Sequence, residues 1–314
     1  AILSRRAVHF MLGGTAAASP LPYPNSSKIV PARYRIEPGS PFAILMGGKS
    51  AISHLEIDGS ALEYRWSGPP NDAAPAIVLL HEGLGSLALW KDFPEKLAAA
   101  TGCAVLAYSR RGHGRSAPLG EPRGLDYLHR EAALLPALLD ALGANGPLFL
   151  FGHSDGASIA LLHSARQRPP PAGLILETPH VFVEDVTLAG IARSVELFES
   201  TDLGARLGRY HDDADRLFRA WADTWLSPAF RSWNIESVLP AVRTPVLLIQ
   251  CEGDPYGTRA QLDAIARRVR SPSEILLLPG DSHVPHTAHA ERVLASAARF
   301  IARVQAGPSS PLTG

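Results

Sequence analysis

The chain has few cysteines, no excess of either charge and no long apolar run, and each scarcity excludes a class of protein. Its 314 residues include only Cys103 and Cys251 as cysteines, and neither lies at metal-ligand spacing from a histidine or a second cysteine. Thirty basic residues balance thirty acidic ones, which argues against a nucleic acid or an anionic membrane surface as partner. No apolar stretch reaches the roughly eighteen residues of a membrane span. The sequence therefore predicts a soluble globular protein with two buried cysteines and a small molecule as its partner.

The two ends of the chain differ in composition from the rest. Residues 1–50 include Ser4-Arg5-Arg6, followed by a short apolar stretch and small residues, a pattern similar to a twin-arginine export signal. Because His9 and two glycines interrupt that stretch, a loosely docked extension is an equal alternative. An exported and a cytoplasmic location therefore both stay open. Residues 307–314 are rich in proline, serine and glycine, and we expect them to be disordered.

Strand and helix patterns alternate along residues 51–179 and 240–306, which we expect to form the core domain. A hairpin around Asp58-Gly59 comes first, and apolar runs such as AIVLLHE and PLFLFGHS then alternate with helical segments. Strands that are apolar on both faces predict a mostly parallel sheet with helices on both sides. The alternation stops over residues 180–239, where helical periodicity, many charges and three tryptophans predict an inserted helical cap.

The segment Gly152-His153-Ser154-Asp155-Gly156 matches the pattern Gly-x-Ser-x-Gly between an apolar strand and a helix. Glycines on both sides of the serine relieve the crowding of a tight turn, which lifts the hydroxyl above the sheet. We therefore predict that Ser154 is a nucleophile. Attack by a serine on a carbonyl group places negative charge on the carbonyl oxygen, and this oxyanion needs two hydrogen-bond donors. The backbone N–H of Asp155, the next residue, is one expected donor.

A serine hydroxyl needs a base, and the base needs a carboxylate to hold it in the right tautomer. His283 and Asp254 each follow an apolar strand, so both are predicted at the same sheet edge as Ser154. His286 is the rival base, but beside a proline it is better placed to cap the following helix. Asp281 is the rival acid, although it lies too close in sequence to reach the far ring nitrogen of His283.

The second oxyanion donor is expected from the loop that follows the strand AIVLL. This loop, His81-Glu82-Gly83-Leu84-Gly85-Ser86, is rich in glycine, so its backbone can approach a ligand closely. We assign the donor to the N–H of Gly83. The alternative is a plain turn between a strand and a helix.

Five segments, HEGLGS, SRRGHGRS, GHSDG, CEGDPYG and DSHVPH, resemble in order and spacing the signature loops of the α/β-hydrolase superfamily. The resemblance covers residues 52 to about 305. It implies a mostly parallel eight-stranded α/β sheet flanked by helices, with a helical cap over 180–239. It also implies that Ser154, Asp254 and His283 form a catalytic triad and that Gly83 serves the oxyanion hole.

Two acidic residues depart from the usual family pattern beside the expected oxyanion donors. Glu82 stands where glycine is usual, and Asp155 stands where an apolar or amide residue is more frequent. Because carboxylates oppose an oxyanion, we expect both side chains to turn away and pair with Arg110, Arg111 or a histidine.

Candidate pocket residues are Glu82, His180, Phe182, Trp221 and Trp225. Tryptophans four residues apart also suit helix packing, so that alternative stays open for the last two. The cluster of His211, Asp212, Asp213 and Asp215 is interpreted as N-capping groups rather than ligands. We therefore expect no metal and no cofactor.

The function that these patterns predict is hydrolysis of a carboxylic ester, thioester or lactone through an acyl-enzyme on Ser154. The same triad also suits cleavage of a carbon–carbon bond, haloperoxidase-like chemistry or a lyase reaction. A non-catalytic ligand receptor on the same fold is the alternative from another class. A homodimer also stays open.

Overall fold

The computed structural model describes residues 34–35, 51–68, 75–144, 146–166 and 169–307. All of them belong to one of the two units into which the chain divides, residues 32–314. The predicted export signal and disordered tail fall mostly on residues 1–33, 36–50 and 308–314, which lie outside the described residues.

The strands form one sheet of mixed direction. They are β1 (Tyr34–Arg35), β2 (Ser53–Ile57), β3 (Ser60–Ser67), β4 (Ala76–Leu80), β5 (Ala104–Tyr108), β6 (Leu148–His153), β7 (Gly173–Glu177), β8 (Val246–Cys251) and β9 (Ser273–Leu278). Their order is β1-β2-β3-β5-β4-β6-β7-β8-β9. Strands β4 to β9 pair in parallel, whereas β2 and β3 form an antiparallel hairpin that joins the sheet through β5. The predicted mostly parallel sheet is confirmed, and the two-residue β1 adds a ninth strand that the sequence did not indicate.

The hairpin turn has the backbone that its sequence predicts. Asp58 and Gly59 both have positive φ, 49° and 68°, as the tight turns that join antiparallel strands require. Aspartate and glycine tolerate this conformation better than most residues. The turn therefore sets the register in which Ile57 faces Ser60.

The central strands are buried on both faces, and this divides the core into two layers. In β4, Val78 and Leu80 pack in one layer with α2 (Tyr127–Ala141) and α3 (Asp155–Arg166). The alternate residues Ile77 and Leu79 pack in the other layer with α1 (Phe93–Thr101) and α9 (Ala290–Ala306). Because successive side chains of a strand point to opposite faces, an unbroken apolar run serves both layers. The two cysteines are buried and unpaired, as predicted.

Two helical parts of the chain consist of a short helix followed by a longer one. A 3-10 helix, Leu87–Trp90, precedes α1, which begins at Phe93. The short helix α8 (Pro285–Ala288) precedes α9. A proline lies in the first turn of both α1 and α8. Proline has no N–H to donate, so it suits the start of a helix and interrupts a longer one.

The segment between β7 and β8, residues 178–245, is here named the insertion. It contains α4 (Asp185–Ser200), α5 (Leu203–Leu207), α6 (Ala214–Leu226) and two 3-10 helices, Phe230–Ser232 and Glu236–Ala241. Asp213 caps α6 by accepting a hydrogen bond from the backbone of Arg216, which agrees with the N-cap interpretation of the acidic cluster. Helix α7 (Arg259–Arg268) follows β8. Among the helices of the described residues, none is long and apolar enough to cross a bilayer.

Candidate active site

Three loops that follow parallel strands meet at one edge of the sheet. Ser154 comes directly after β6, Asp254 follows β8 and His283 follows β9. Because β6 to β9 run in the same direction, their carboxyl ends share this edge, where open α/β sheets bind ligands. Residues 129 positions apart thus come within reach of each other.

Ser154 lies on a sharp turn between β6 and α3. Its φ is 53°, a left-handed conformation that is costly for a residue with a side chain. The turn also requires two glycines, because a Cβ on Gly152 would lie 2.6 Å from the Cα of Ala157 and one on Gly156 would collide with the carbonyl of Leu80. These glycines let the start of α3 lie close to the ends of two strands, with Ser154 at the apex.

The structure brings Ser154, His283 and Asp254 into one hydrogen-bonded chain. The Nε2 atom of His283 lies 3.1 Å from the Oγ of Ser154, and its Nδ1 lies 2.8 Å from the nearer oxygen of Asp254. Asp254 also accepts a hydrogen bond from the backbone N–H of Tyr256, at 2.9 Å. A carboxylate at Nδ1 favours the tautomer protonated there, which leaves Nε2 free to accept the proton of the serine hydroxyl. His283 is bonded to Asp254 and not to the rival acid Asp281.

A second group of side chains holds the loop that carries His283. The backbone carbonyl of His283 accepts a hydrogen bond from Nε2 of His153, at 2.7 Å. His286, one turn further on in α8, bonds through Nδ1 to the carboxylate of Glu177, at 2.5 Å. The prediction that His286 caps a helix is therefore wrong, because its ring is buried and paired with the end of β7.

His153, Glu177 and His286 also form the one group among the described residues that could hold a metal ion. Each offers a ligand atom within 4.8 Å of the other two, and all three residues are buried. The Oε1 atom of Glu177 is buried without a hydrogen-bond partner in the described chain. Sequence reasoning missed this group, although a lone acid at the end of the apolar strand GLILE was a usable signal.

The carboxylate of Asp155 takes part in a buried network of hydrogen bonds and charges. It accepts a hydrogen bond from the hydroxyl of Tyr127 at 2.9 Å and lies 3.8 Å from the guanidinium of Arg110. Tyr127 in turn accepts from the indole N–H of Trp225, at 2.8 Å. Burial, reinforced by the neighbouring Asp155, raises the pKa of Tyr127 well above its usual value. The expected pairing with Arg110 is present for Asp155.

The carboxylate of Glu82 makes no such pairing, which corrects the expectation for that residue. It accepts a hydrogen bond from the backbone N–H of Leu84. Arg110 bonds instead to the backbone carbonyl of Glu82, at 2.7 Å. Burial, followed by the nearby charge of Asp155, raises the pKa of the Glu82 carboxyl. Glu82 and Ser154 line the same cavity, and Glu82 forms no ion pair among the described residues.

Gly83 and Asp155, whose backbone N–H groups are the predicted oxyanion donors, line the same cavity. No acceptor in the described chain is bonded to the N–H of Gly83 or of Asp155. Asp155 is the first residue of α3, so its N–H also lies at the positive end of a helix dipole. Gly83 packs against the indole of Trp221 so tightly that a Cβ would lie 2.5 Å from its Cδ1 atom.

A cavity of about 280 Å³ opens above Ser154 and His283. The insertion forms much of its wall, through Thr187, Ile191, Leu207, Trp221 and Trp225. His180 also lines it, and burial, followed by the neighbouring His283, lowers the pKa of His180 to about 3. The two tryptophans serve both predicted purposes, because they line the cavity and pack in the core.

Phe182 does not line this cavity, so its assignment to the pocket is wrong. Its backbone pairs with Asn234 in an antiparallel bridge, and its carbonyl accepts a hydrogen bond from Gln261. The side chain packs against the hydrophobic core instead. Tyr256, which the sequence did not single out, lines the cavity, and its ring centroid lies 4.6 Å from that of His283.

Known proteins with similar sequences and folds agree on one family. Residues 77–296 match the model of the alpha/beta hydrolase family. The serine hydrolase BPHL of Homo sapiens is 26% identical over 256 residues, which cover 79% of this chain and 86% of that protein.

Solved structures show the same fold at lower sequence identity. The enol-lactonase from Burkholderia xenovorans LB400 has a TM-score of 0.62 at 20% identity and covers 80% of this chain and 100% of its own. A thermophilic esterase from Thermogutta terrifontis has a TM-score of 0.58 at 19% identity, with 82% and 99% covered. The family model spans more than half of the chain, and the chain therefore belongs to the alpha/beta hydrolase family.

Proposed function

We propose that the protein is a serine hydrolase that cleaves a carboxylic ester, thioester or lactone of a small molecule. The observation that carries the proposal is the chain of hydrogen bonds from Ser154 through His283 to Asp254, with Ser154 on a turn of positive φ. The similarity to a protein named as a serine hydrolase supports it. The cavity of about 280 Å³ suits a small substrate.

The geometry accounts for each proton transfer of such a reaction. His283 accepts the hydroxyl proton at Nε2 while the Oγ of Ser154 attacks the carbonyl carbon. The protonated imidazole then gives that proton to the leaving alcohol or thiol, and an acyl-enzyme forms. A water molecule that His283 deprotonates hydrolyses the acyl-enzyme and restores Ser154. Asp254 holds the ring and stabilises its charged form throughout.

The negative charge of the tetrahedral intermediate falls on the former carbonyl oxygen. In this proposal the N–H groups of Gly83 and Asp155 stabilise it, since both are free of acceptors in the described chain. In this proposal residues 180–239, the greater part of the insertion, form a cap, and residues 51–179 and 240–306 form the core. The apolar side chains of the cap exclude water from the reacting atoms, which strengthens these hydrogen bonds.

The test compares wild type with Ser154→Ala on a panel of short-chain p-nitrophenyl esters. We expect kcat to fall at least roughly a thousandfold, and a fluorophosphonate probe to label Ser154 in the folded wild type. Ser200→Ala is the matched control, because this exposed serine bonds only within α4. Unchanged turnover in Ser154→Ala, or labelling of folded protein elsewhere than Ser154, contradicts the proposal.

A further inference from the structure

The cavity above Ser154 has an unusual charge balance. Two acidic residues, Glu82 and Asp155, line it, and among the described residues that form its wall none is lysine or arginine. His180, which also lines the cavity, adds no positive charge at neutral pH, because burial lowers its pKa to about 3. No lysine or arginine among the described lining residues therefore balances the two acidic residues, so a balancing cation has to come from outside the lining.

Among the described residues, only one of the two acids lies within ion-pair distance of a cation. Arg110 is buried and lies 3.8 Å from the carboxylate of Asp155. The rest of its guanidinium is engaged by the ring of His81 and by the backbone carbonyl of Glu82. The Glu82 carboxylate forms no ion pair in the described chain, and its single hydrogen bond comes from the backbone of Leu84.

Because Glu82 has no ion-pair partner among the described residues, its position matters for the proposed reaction. It directly precedes Gly83, whose N–H is the proposed oxyanion donor. When it is ionised, a carboxylate beside a developing oxyanion raises the energy of the transition state in a water-poor cavity. Burial raises the pKa of Glu82 and so disfavours this ionised form unless a cation binds beside it. A positive charge on the substrate offsets that repulsion and also stabilises the Glu82 carboxylate in place of the water it has lost.

The surrounding walls suit such a charge. Trp221, Trp225 and Tyr256 line the same cavity, and the indole of Trp221 lies directly against Gly83. Aromatic rings attract organic cations, and they do so more strongly where water is excluded. A carboxylate together with aromatic rings is therefore a combination that favours an alkylammonium group over a neutral or anionic one.

From this charge balance we propose that Glu82 binds an ammonium group of the substrate, so that the ester, thioester or lactone that the protein hydrolyses is cationic. This inference rests on the proposed serine hydrolase function. Glu82 acts as a specificity residue, and the reaction at Ser154 proceeds as described above.

The experiment uses two pairs of esters that differ only in charge. β-Alanine ethyl ester and ethyl butanoate place the difference on the acyl side, whereas acetylcholine and 3,3-dimethylbutyl acetate place it on the alcohol side. Hydrolysis is followed by pH-stat, and each compound is also measured as a competitor of p-nitrophenyl acetate hydrolysis. We expect wild type to prefer the cationic member of at least one pair by roughly tenfold or more in kcat/KM or inhibition constant.

In Glu82→Gln, which preserves shape and removes the charge, we expect this preference to disappear. The neutral ester should gain in kcat/KM, because the charge beside the oxyanion is gone. Glu199→Gln, at an exposed glutamate of α4, is the control and should keep the preference. Equal values for both members of both pairs in wild type, or a preference that survives Glu82→Gln, overturn the inference. Neither result touches the serine hydrolase proposal, which is tested separately by the turnover of Ser154→Ala and by the site that the fluorophosphonate probe labels.

Discussion

At the scale of single residues, Gly156 shows how little room the turn around Ser154 leaves. A Cβ on this residue would collide with the carbonyl of Leu80 and would lie 2.9 Å from the Cβ of Leu80. Both the backbone of β4 and the start of α3 are buried, so neither can move without disturbing the core. The position of the Ser154 hydroxyl therefore depends on the close packing of Gly156 against β4.

We predict that Gly156→Ala destabilises the protein by about 1–3 kcal/mol and lowers kcat more than it raises KM, because the start of α3 is displaced. Urea denaturation and ester kinetics measure the two effects. Gly120→Ala is the matched control, since a Cβ there meets nothing within 4 Å. If both variants unfold at the same urea concentration, the close packing does not constrain this turn.

Part of the candidate site could be predicted from residue types, motifs and positions along the chain. Ser154, His283 and Asp254 are hydrogen-bonded in the structure, because their motif and their positions after strands are local features. The pairing of Glu82 with a cation and the placement of Phe182 were wrong. Both depend on contacts with residues that are distant in sequence, such as the bond from Arg110 to the backbone carbonyl of Glu82 and the bridge between Phe182 and Asn234.

At the scale of elements, the Glu177–His286 pair ties the end of β7 to α8. Both residues are buried, and α8 begins two residues after His283. Removal of one partner of a buried pair leaves the other without a hydrogen bond in a medium of low polarity. The pair thus couples the stability of the fold to the position of the proposed base.

We predict that Glu177→Ala lowers the free energy of unfolding by about 3–5 kcal/mol and lowers kcat as well. Thermal and urea denaturation measure the first effect, and ester kinetics at saturating substrate measure the second. Glu274→Ala is the control, because the ion pair between Glu274 and Arg303 is exposed and should contribute less than about 1 kcal/mol. A Glu177→Ala variant as stable as this control would show that the buried pair is dispensable.

At the scale of the whole molecule, the insertion and the sheet edge form one cavity together. The proposed nucleophile and base lie just after strands of the sheet, whereas Trp221 and Trp225 lie in α6. Trp225 also donates a hydrogen bond to Tyr127, which holds Asp155. Side chains of the insertion therefore line the cavity and also bond to the buried network of Tyr127 and Asp155 at the start of α3.

We predict that Trp221→Ala shifts the preferred acyl chain of p-nitrophenyl esters to longer lengths, because it enlarges the cavity beside Gly83. A stability loss of roughly 3–5 kcal/mol accompanies it. Trp233→Ala is the control, since this residue packs on Phe230 and Trp225 without lining the cavity. It should cost stability and leave the chain-length preference unchanged. The same preference in both variants would argue that Trp221 does not limit the substrate.

The sequence by itself determined the alternation of buried strands and helices, the hairpin at Asp58-Gly59 and the turn that presents Ser154. These features are encoded by neighbouring residues through apolar periodicity, glycine and chain order. Only the tertiary structure decided that Asp155 faces Arg110, that Glu177 faces His286 and that Glu82 lines the cavity without an ion-pair partner among the described residues. Such contacts join positions far apart in the chain, and the low polarity of the interior makes each of them strong when it is paired and costly when it is not.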